Sequence, residues 1–151
     1  MDIRTNRAMK KLIDISALDL NSIILDLELV EIIRDGVINI NDLYLLRARV
    51  PDSFDHDSVI NRYFDKTELE CSVNHIHIGD IVKNDNILLQ GVKYASELSE
   101  LLEKLGEFEI ILSYSDHPIG DCSVRFHKVR FDEAPYLLDL EGYQEALLII
   151  S

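Results

Sequence analysis

Two alternating segments separated by a turn constrain this fold most. Phe108, Ile110, Leu112 and Tyr114 recur at every second position, and Cys122, Val124 and Phe126 alternate with Ser123, Arg125 and His127 on the return. A period of two sends successive side chains to opposite faces of a strand. Between the runs, Asp116-His117-Pro118-Ile119-Gly120-Asp121 has the chemistry of a turn. The pattern predicts an antiparallel hairpin over 107–115 and 122–131. Residues 145–150, ending Leu147-Leu148-Ile149-Ile150, predict a last strand buried on both faces.

Helical spacing is clearest just before that hairpin. Ala95, Leu98, Leu101, Leu102 and Leu105 form one stripe with Glu97, Glu100, Glu103 and Lys104 outside it, which predicts a helix over 94–105 stopped by Gly106. Ala8, Met9, Leu12 and Ile13 suit a short amphipathic helix within 5–14. Residues 21–34 fit two patterns. Leu20, Ile23, Ile24, Leu27 and Val30 make a helical face, whereas Leu25 to Leu29 alternates like a strand. A cap at Asn21 and a stop at Gly36 favour the helix, and Asp35-Gly36 reads alternatively as a hairpin turn. Further expectations are a strand over 43–50 ended by Pro51, a short helix over 58–64, and a Val/Ile-rich strand over 69–82 bent at Gly79-Asp80. Lys83-Asn84-Asp85-Asn86 reads as a turn. With only six Gly, three Pro and no linker-like tract, these elements predict one α+β domain over 1–151, a mainly antiparallel sheet with helices packed on one side.

Catalytic signatures are scarce. There is no glycine-rich phosphate loop and no EF-hand run. On an extended strand, Cys71, His75 and His77 would share one face, and a His-x-His pair can supply two nitrogen ligands to zinc or iron, with Asp80, His117 or His127 as a third. That is the alternative reading, a small metal-binding protein or metal-dependent enzyme, although Cys71 also suits a small core position. A Cys122–His117 dyad lacks any flanking nucleophile elbow. The main expectation is therefore a protein that is not an enzyme and needs no cofactor. The two cysteines form no C-x-x-C pair and read as reduced thiols. Asp14 and Asp19 break any apolar run after the basic N-terminus, so no signal peptide is expected and the protein is placed in the cytoplasm.

The remaining signal is charge. The chain carries 28 Asp and Glu against 15 Lys and Arg, a formal net charge of -13, within a composition that is 47% hydrophobic and therefore able to fold. Such a field repels nucleic acid and anionic membranes and attracts basic proteins. The acids fall into three groups: Asp14 to Asp42, Asp52 to Glu70, and Asp132, Glu133, Asp139, Glu141 and Glu145. Tyr136 and Tyr143 sit within the third. A rigid aromatic ringed by carboxylates suits an interface with a cationic partner, so Asp132, Glu133, Tyr136, Asp139, Glu141 and Tyr143 are the expected partner-binding residues.

In size, acidity and interleaved tyrosines (Tyr44, Tyr63, Tyr136 and Tyr143), the chain resembles the small acidic immunity proteins that bacteria make against secreted toxins, including those of contact-dependent growth inhibition. The resemblance implies a stoichiometric cytoplasmic inhibitor, monomer or homodimer, that binds a basic toxin domain such as a nuclease and blocks its cleft.

Overall fold

The computed structural model describes residues 2–83, 86–116 and 120–151. Its centre is the predicted hairpin, β5 (Phe108–Ser115) and β6 (Asp121–Lys128), paired from Phe108↔Lys128 to Ser115↔Asp121. The last strand, β7 (Ala146–Ile150), lies on the other side of β5 and is buried throughout. Short strands β1 (Ile3–Thr5) and β4 (Ile76–His77) close the two edges, giving the order β1-β7-β5-β6-β4 with every neighbouring pair antiparallel. The fold is α+β, as expected.

Register aligns the apolar side chains into rows. Phe126, Ile110 and Ile150 form one row, and Val124, Leu112 and Leu148 the next. On this face lies α6 (Ile87–Glu103), which buries Tyr94, Ala95, Leu98 and Leu102 against the rows. The helix starts about two turns before the predicted residue 94. The reason is Gln90, a polar residue in the buried stripe. Its Nε2 donates to the Ile24 carbonyl at 2.7 Å and its Oε1 accepts from Asp26 N–H at 2.8 Å. Next to it, Gly91 touches the sheet. A Cβ there would sit 2.5 Å from Cys122 Sγ and 3.2 Å from Leu112 Cδ1.

The N-terminal half differs more from expectation. Helix α1 (Arg7–Leu12) falls within the predicted span and buries Met9. Between it and α2 (Leu27–Asp35) run two single 3₁₀ turns, so the helix expected from Asn21 begins only after Asp26, which caps it. Gly36 ends it at φ +78°, a conformation that favours glycine. The strand expected over 43–50 is β3 (Leu43–Leu46), after which Arg47–Arg49 turn in a 3₁₀ helix. Its partner, the unpredicted β2 (Val37–Ile40), joins through Asn41-Asp42, both at positive φ as a two-residue hairpin loop requires. Helix α3 (His56–Ile60) starts and ends earlier than the predicted 58–64. The turn expected at Lys83–Asn86 includes two positions outside the described residues.

The largest correction concerns 69–82. Instead of a strand, the chain forms α4 (Lys66–Val73), the two-residue β4 and a single helical turn, α5 (Ile78–Ile81). Leu69, Cys71 and Val73 alternate, but the deciding residues are Glu70 and Asn74, four apart and therefore on one face of a helix. Both are buried. Glu70 accepts from Tyr44 N–H at 2.7 Å, from Lys128 N–H at 2.9 Å and from both Nη atoms of Arg130 at 2.8 Å. Asn74 accepts from Leu46 N–H and donates to Tyr44 O, both at 2.8 Å, and donates to Phe126 O at 3.2 Å. Two side chains of α4 thus take up backbone groups on the open sides of β3 and β6 at once. Leu43, Leu45 and Leu69 form a small second core beneath this helix, while Leu46 faces the main one and Tyr44 packs edge-on against Phe108 at 5.2 Å.

Two outcomes follow from these contacts. Gly91→Ala should lower stability by about 1–3 kcal/mol in urea unfolding, despite alanine's better helix propensity, because the added methyl overpacks Cys122. Glu70→Ala should cost about 3–5 kcal/mol, since it removes the two-point carboxylate partner of the Arg130 guanidinium and leaves two backbone amides unpaired.

Candidate functional site

The three residues of the metal reading do not share a strand face. Cys71 lies in α4, buried, with its thiol pushed above the ordinary range by burial. His75 follows the helix and His77 lies in β4, their rings 4.2 Å apart. The His75 Nε2 accepts from Arg125 Nη2 at 3.1 Å, and burial, then the charges of Arg125 and His77, bring the His75 pKa down to about 4. A neutral ring whose lone pair already serves a guanidinium has no electron pair left there for a metal. The His77 Nδ1 stands 3.8 Å from Asp121 Oδ1. Among the described residues, no group of three or more His, Cys, Asp or Glu side chains is placed to hold a metal ion. His127 is engaged elsewhere, and His117, the other third-ligand candidate and the partner imagined for Cys122, lies outside the described residues. Cys122 itself is buried, its thiol pushed up to about 12.

The expected partner-binding residues lie on one irregular strap, 129–145, that crosses the face of the sheet opposite α6. Several of them hold the strap down. Tyr136 OH accepts from Arg125 Nη1 at 2.8 Å. Glu133 accepts from Lys66 N–H at 3.3 Å, from Thr67 N–H at 2.9 Å and from Thr67 Oγ1 at 2.7 Å, so it closes the N-terminus of α4. Burial works against its charge, yet these bonds and nearby Arg130 hold its carboxyl below the ordinary range. Asp139 accepts from Glu141 N–H, and the Glu141 carboxylate accepts from Arg7 N–H at 3.0 Å. Asn6, buried, donates to Leu140 O and Glu145 O, which ties the end of the strap to α1. Asp132 is exposed, and Tyr143 is partly so.

Much of the acidic surplus has local employment. Asp14, Asp26, Asp55, Asp65 and Asp139 each cap a short helix by accepting one of its first free N–H groups. Short helices have as many unpaired N-terminal donors as long ones, and each such cap is worth about 0.5–2 kcal/mol. Asp42 joins Lys66, Lys128 and Arg130 in an ion cluster at the turn of the β2–β3 hairpin, the closest approach being 3.0 Å to Lys128.

One corner stands out. Phe64 is 88% exposed and Phe131 93%, and the Glu133 bonds to Lys66 and Thr67 tie their two segments together within two or three residues of each ring. Isolated exposed hydrophobics are ordinary, but two nearly bare phenylalanines on adjoining segments are not. In sequence, carboxylates flank them, Asp65 and Glu68 after Phe64 and Asp132 and Glu133 after Phe131, with Arg62, Lys66 and Arg130 as the neighbouring bases. Only Asp132 and Glu133 of this group were expected from sequence. The signal for the rest is a repeated Phe-Asp dipeptide, at 54–55, 64–65 and 131–132, each in a turn or at a cap.

Beneath the strap, His127 and Glu109 make a pH-sensitive contact. The His127 Nε2 lies 3.4 Å from Glu109 Oε1, and Nδ1 bonds the Lys128 carbonyl at 2.9 Å. Burial disfavours the charged ring, but the Glu109 and Lys128 bonds outweigh it and raise the His127 pKa, while the same hydrogen bond lowers that of Glu109. The raised group contributes fully below the unfolded histidine value of about 6.5 and loses its contribution as pH rises through the folded value. The lowered group contributes above the unfolded carboxyl value of about 4.3 and loses it in acid. The difference in urea midpoint between the wild type and His127→Gln should thus be largest near pH 5.5 and shrink by pH 8.5.

Among the described residues no helix is long and apolar enough to cross a membrane. No solved structure matches the chain. A relative in Pasteurella multocida (strain Pm70), described as Uncharacterized protein PM0498, is 29% identical over 100 residues, 63% of this chain and 63% of the relative, so the match spans less than two thirds of that protein. A family model matches residues 4–151, and the chain belongs to the Uncharacterized protein PM0498 family.

Proposed function

We propose that this protein is a stoichiometric binding protein for a basic partner, an immunity protein that neutralises a cationic toxin domain in the cytoplasm without catalysing a reaction. The observation that carries the reading is the Phe64–Phe131 corner, two nearly bare aromatic rings on adjoining segments, each followed in sequence by carboxylates. Aromatic side chains are enriched at the centres of interfaces, and a charged rim steers the encounter and fixes the register. A nuclease domain is shaped to accept a phosphate backbone, so an acidic surface imitates what its cleft already attracts. The two buried free thiols, Cys71 and Cys122, suit a reducing compartment. Of the six residues expected to touch the partner, Asp132 belongs to this docking surface. Glu133, Tyr136, Asp139 and Glu141 support the strap that carries it.

The test uses the polypeptide encoded beside this one, expressed with it and purified as a complex. Association should slow markedly between 50 mM and 500 mM salt, and a rate that ignores salt would count against the reading. The double variant Phe64→Ser, Phe131→Ser should weaken the complex by at least about 30-fold, as loss of a central anchor does. Its urea midpoint should stay within about 0.5 kcal/mol of wild type, as for exposed positions generally.

A further inference from the structure

The face of the sheet under the strap holds a cavity of about 360 Å³, within the range of small-molecule sites. Ile111, Leu137 and Leu147 supply apolar walls, and Arg125 and Tyr136 stand at its polar side. Arg125 is partly buried, whereas Arg7, Arg34, Arg47, Arg49 and Arg62, which also lack an ion pair among the described residues, are exposed. The hydrogen-bond partners of Arg125 among the described residues are neutral: Nη1 donates to Tyr136 OH at 2.8 Å and Nη2 to His75 Nε2 at 3.1 Å. Among the described residues no carboxylate lies within ion-pair distance of it, whereas Arg4 and Arg130 each have one.

The hydrogen-bond directions matter. A guanidinium has five donors, of which two are spoken for. Tyr136 OH accepts from Arg125, so its own proton is free to donate. Ser113 also lines the cavity, and its Oγ shares a hydrogen bond with Ser123 Oγ at 2.8 Å. When Ser123 donates in that pair, the Ser113 proton is free as well. Arg125, Tyr136 and Ser113 thus all line the cavity, around a half-buried charge that has no carboxylate within ion-pair distance among the described residues. Carboxylates are what a guanidinium fork and a phenol hydroxyl jointly recognise. Glu145 also lines the cavity. Its negative charge opposes a second charge on the ligand, which selects a monoanion over a dianion.

We infer that the cavity beneath the strap binds a small organic monocarboxylate with an apolar body, its carboxylate held by Arg125 and Tyr136 and its body against Ile111, Leu137 and Leu147. Nothing in this inference depends on the toxin-binding reading.

The probe is benzoate, titrated into ¹⁵N-labelled full-length protein near neutral pH. Benzyl alcohol serves as the uncharged control and phenyl phosphate as the dianion. Saturable amide shifts are expected around residues 111–113, 125, 136–137 and 147. Benzyl alcohol and phenyl phosphate should each bind at least tenfold more weakly. Arg125→Met should weaken benzoate by at least tenfold while leaving benzyl alcohol unchanged. Should that variant fail to fold, Ile111→Phe, which fills the chamber and leaves the donors in place, should abolish the shifts. Benzoate shifts scattered over the surface, no saturation, equal affinity for benzyl alcohol, or tighter binding of phenyl phosphate would each overturn the assignment.

Discussion

The buried carboxylate of Glu70 is the constraint around which the rest of the structure is arranged. A charge taken out of water is tolerable only when its lone pairs are filled and a counter-charge is near. Glu70 has both: two backbone amides from different strands and the fork of Arg130. To satisfy it, α4 must lie where β3 and β6 can both reach it, which sets the hairpin β2–β3 against the main sheet. Asn74, one turn on, repeats the arrangement with a neutral amide. The same Arg130 donates to the Asp42 carbonyl at 2.6 Å, so the hairpin turn, the helix and the start of the strap meet in one polar knot.

The same device recurs wherever regular structure gives out. Asn6 joins α1, β7 and the strap; Gln90 anchors the loop before α2. Each is a side chain that can donate and accept at once, inserted where two backbone segments pass without forming a ladder. A chain rich in short helices and irregular connections needs many such fixings, because buried backbone groups must find partners somewhere. The aspartate caps serve the same end at the surface. Net charge alone therefore overstates how much of the acid faces a partner, and the Phe64–Phe131 corner is informative because it adds exposed aromatic area that capping does not explain.

What could be read from the sequence followed apolar periodicity. The β5–β6 hairpin, β7 and most of α6 announce themselves because their buried faces are made of Ile, Leu, Val and Phe. Reading failed where a buried position is polar. Gln90 hid the first turns of α6, and Glu70 and Asn74 made α4 look like a strand with a solvated face. The hairpin β2–β3 was missed because its turn is Asn41-Asp42, without the glycine that usually marks positive φ. As for the candidate site, Asp132 and Tyr136 were legible as acid beside aromatic. That Tyr136 would turn inward onto Arg125, and Phe131 outward, depends on the path of the strap, which no local pattern encodes.

The placement of α4 has one more consequence. A strand whose outer hydrogen-bonding groups are bare is a template for any other extended chain, and the Val/Ile-rich strands here would make an effective one. Glu70 and Asn74 occupy those groups on β3 and along the C-terminal half of β6, and β4 pairs with residues 123 and 124 of the rest. Among the described residues, the short strands β1, β2 and β4 are those left on the outside of the two sheets. The helix that organises the interior also covers backbone groups through which a second copy could otherwise add strand to strand.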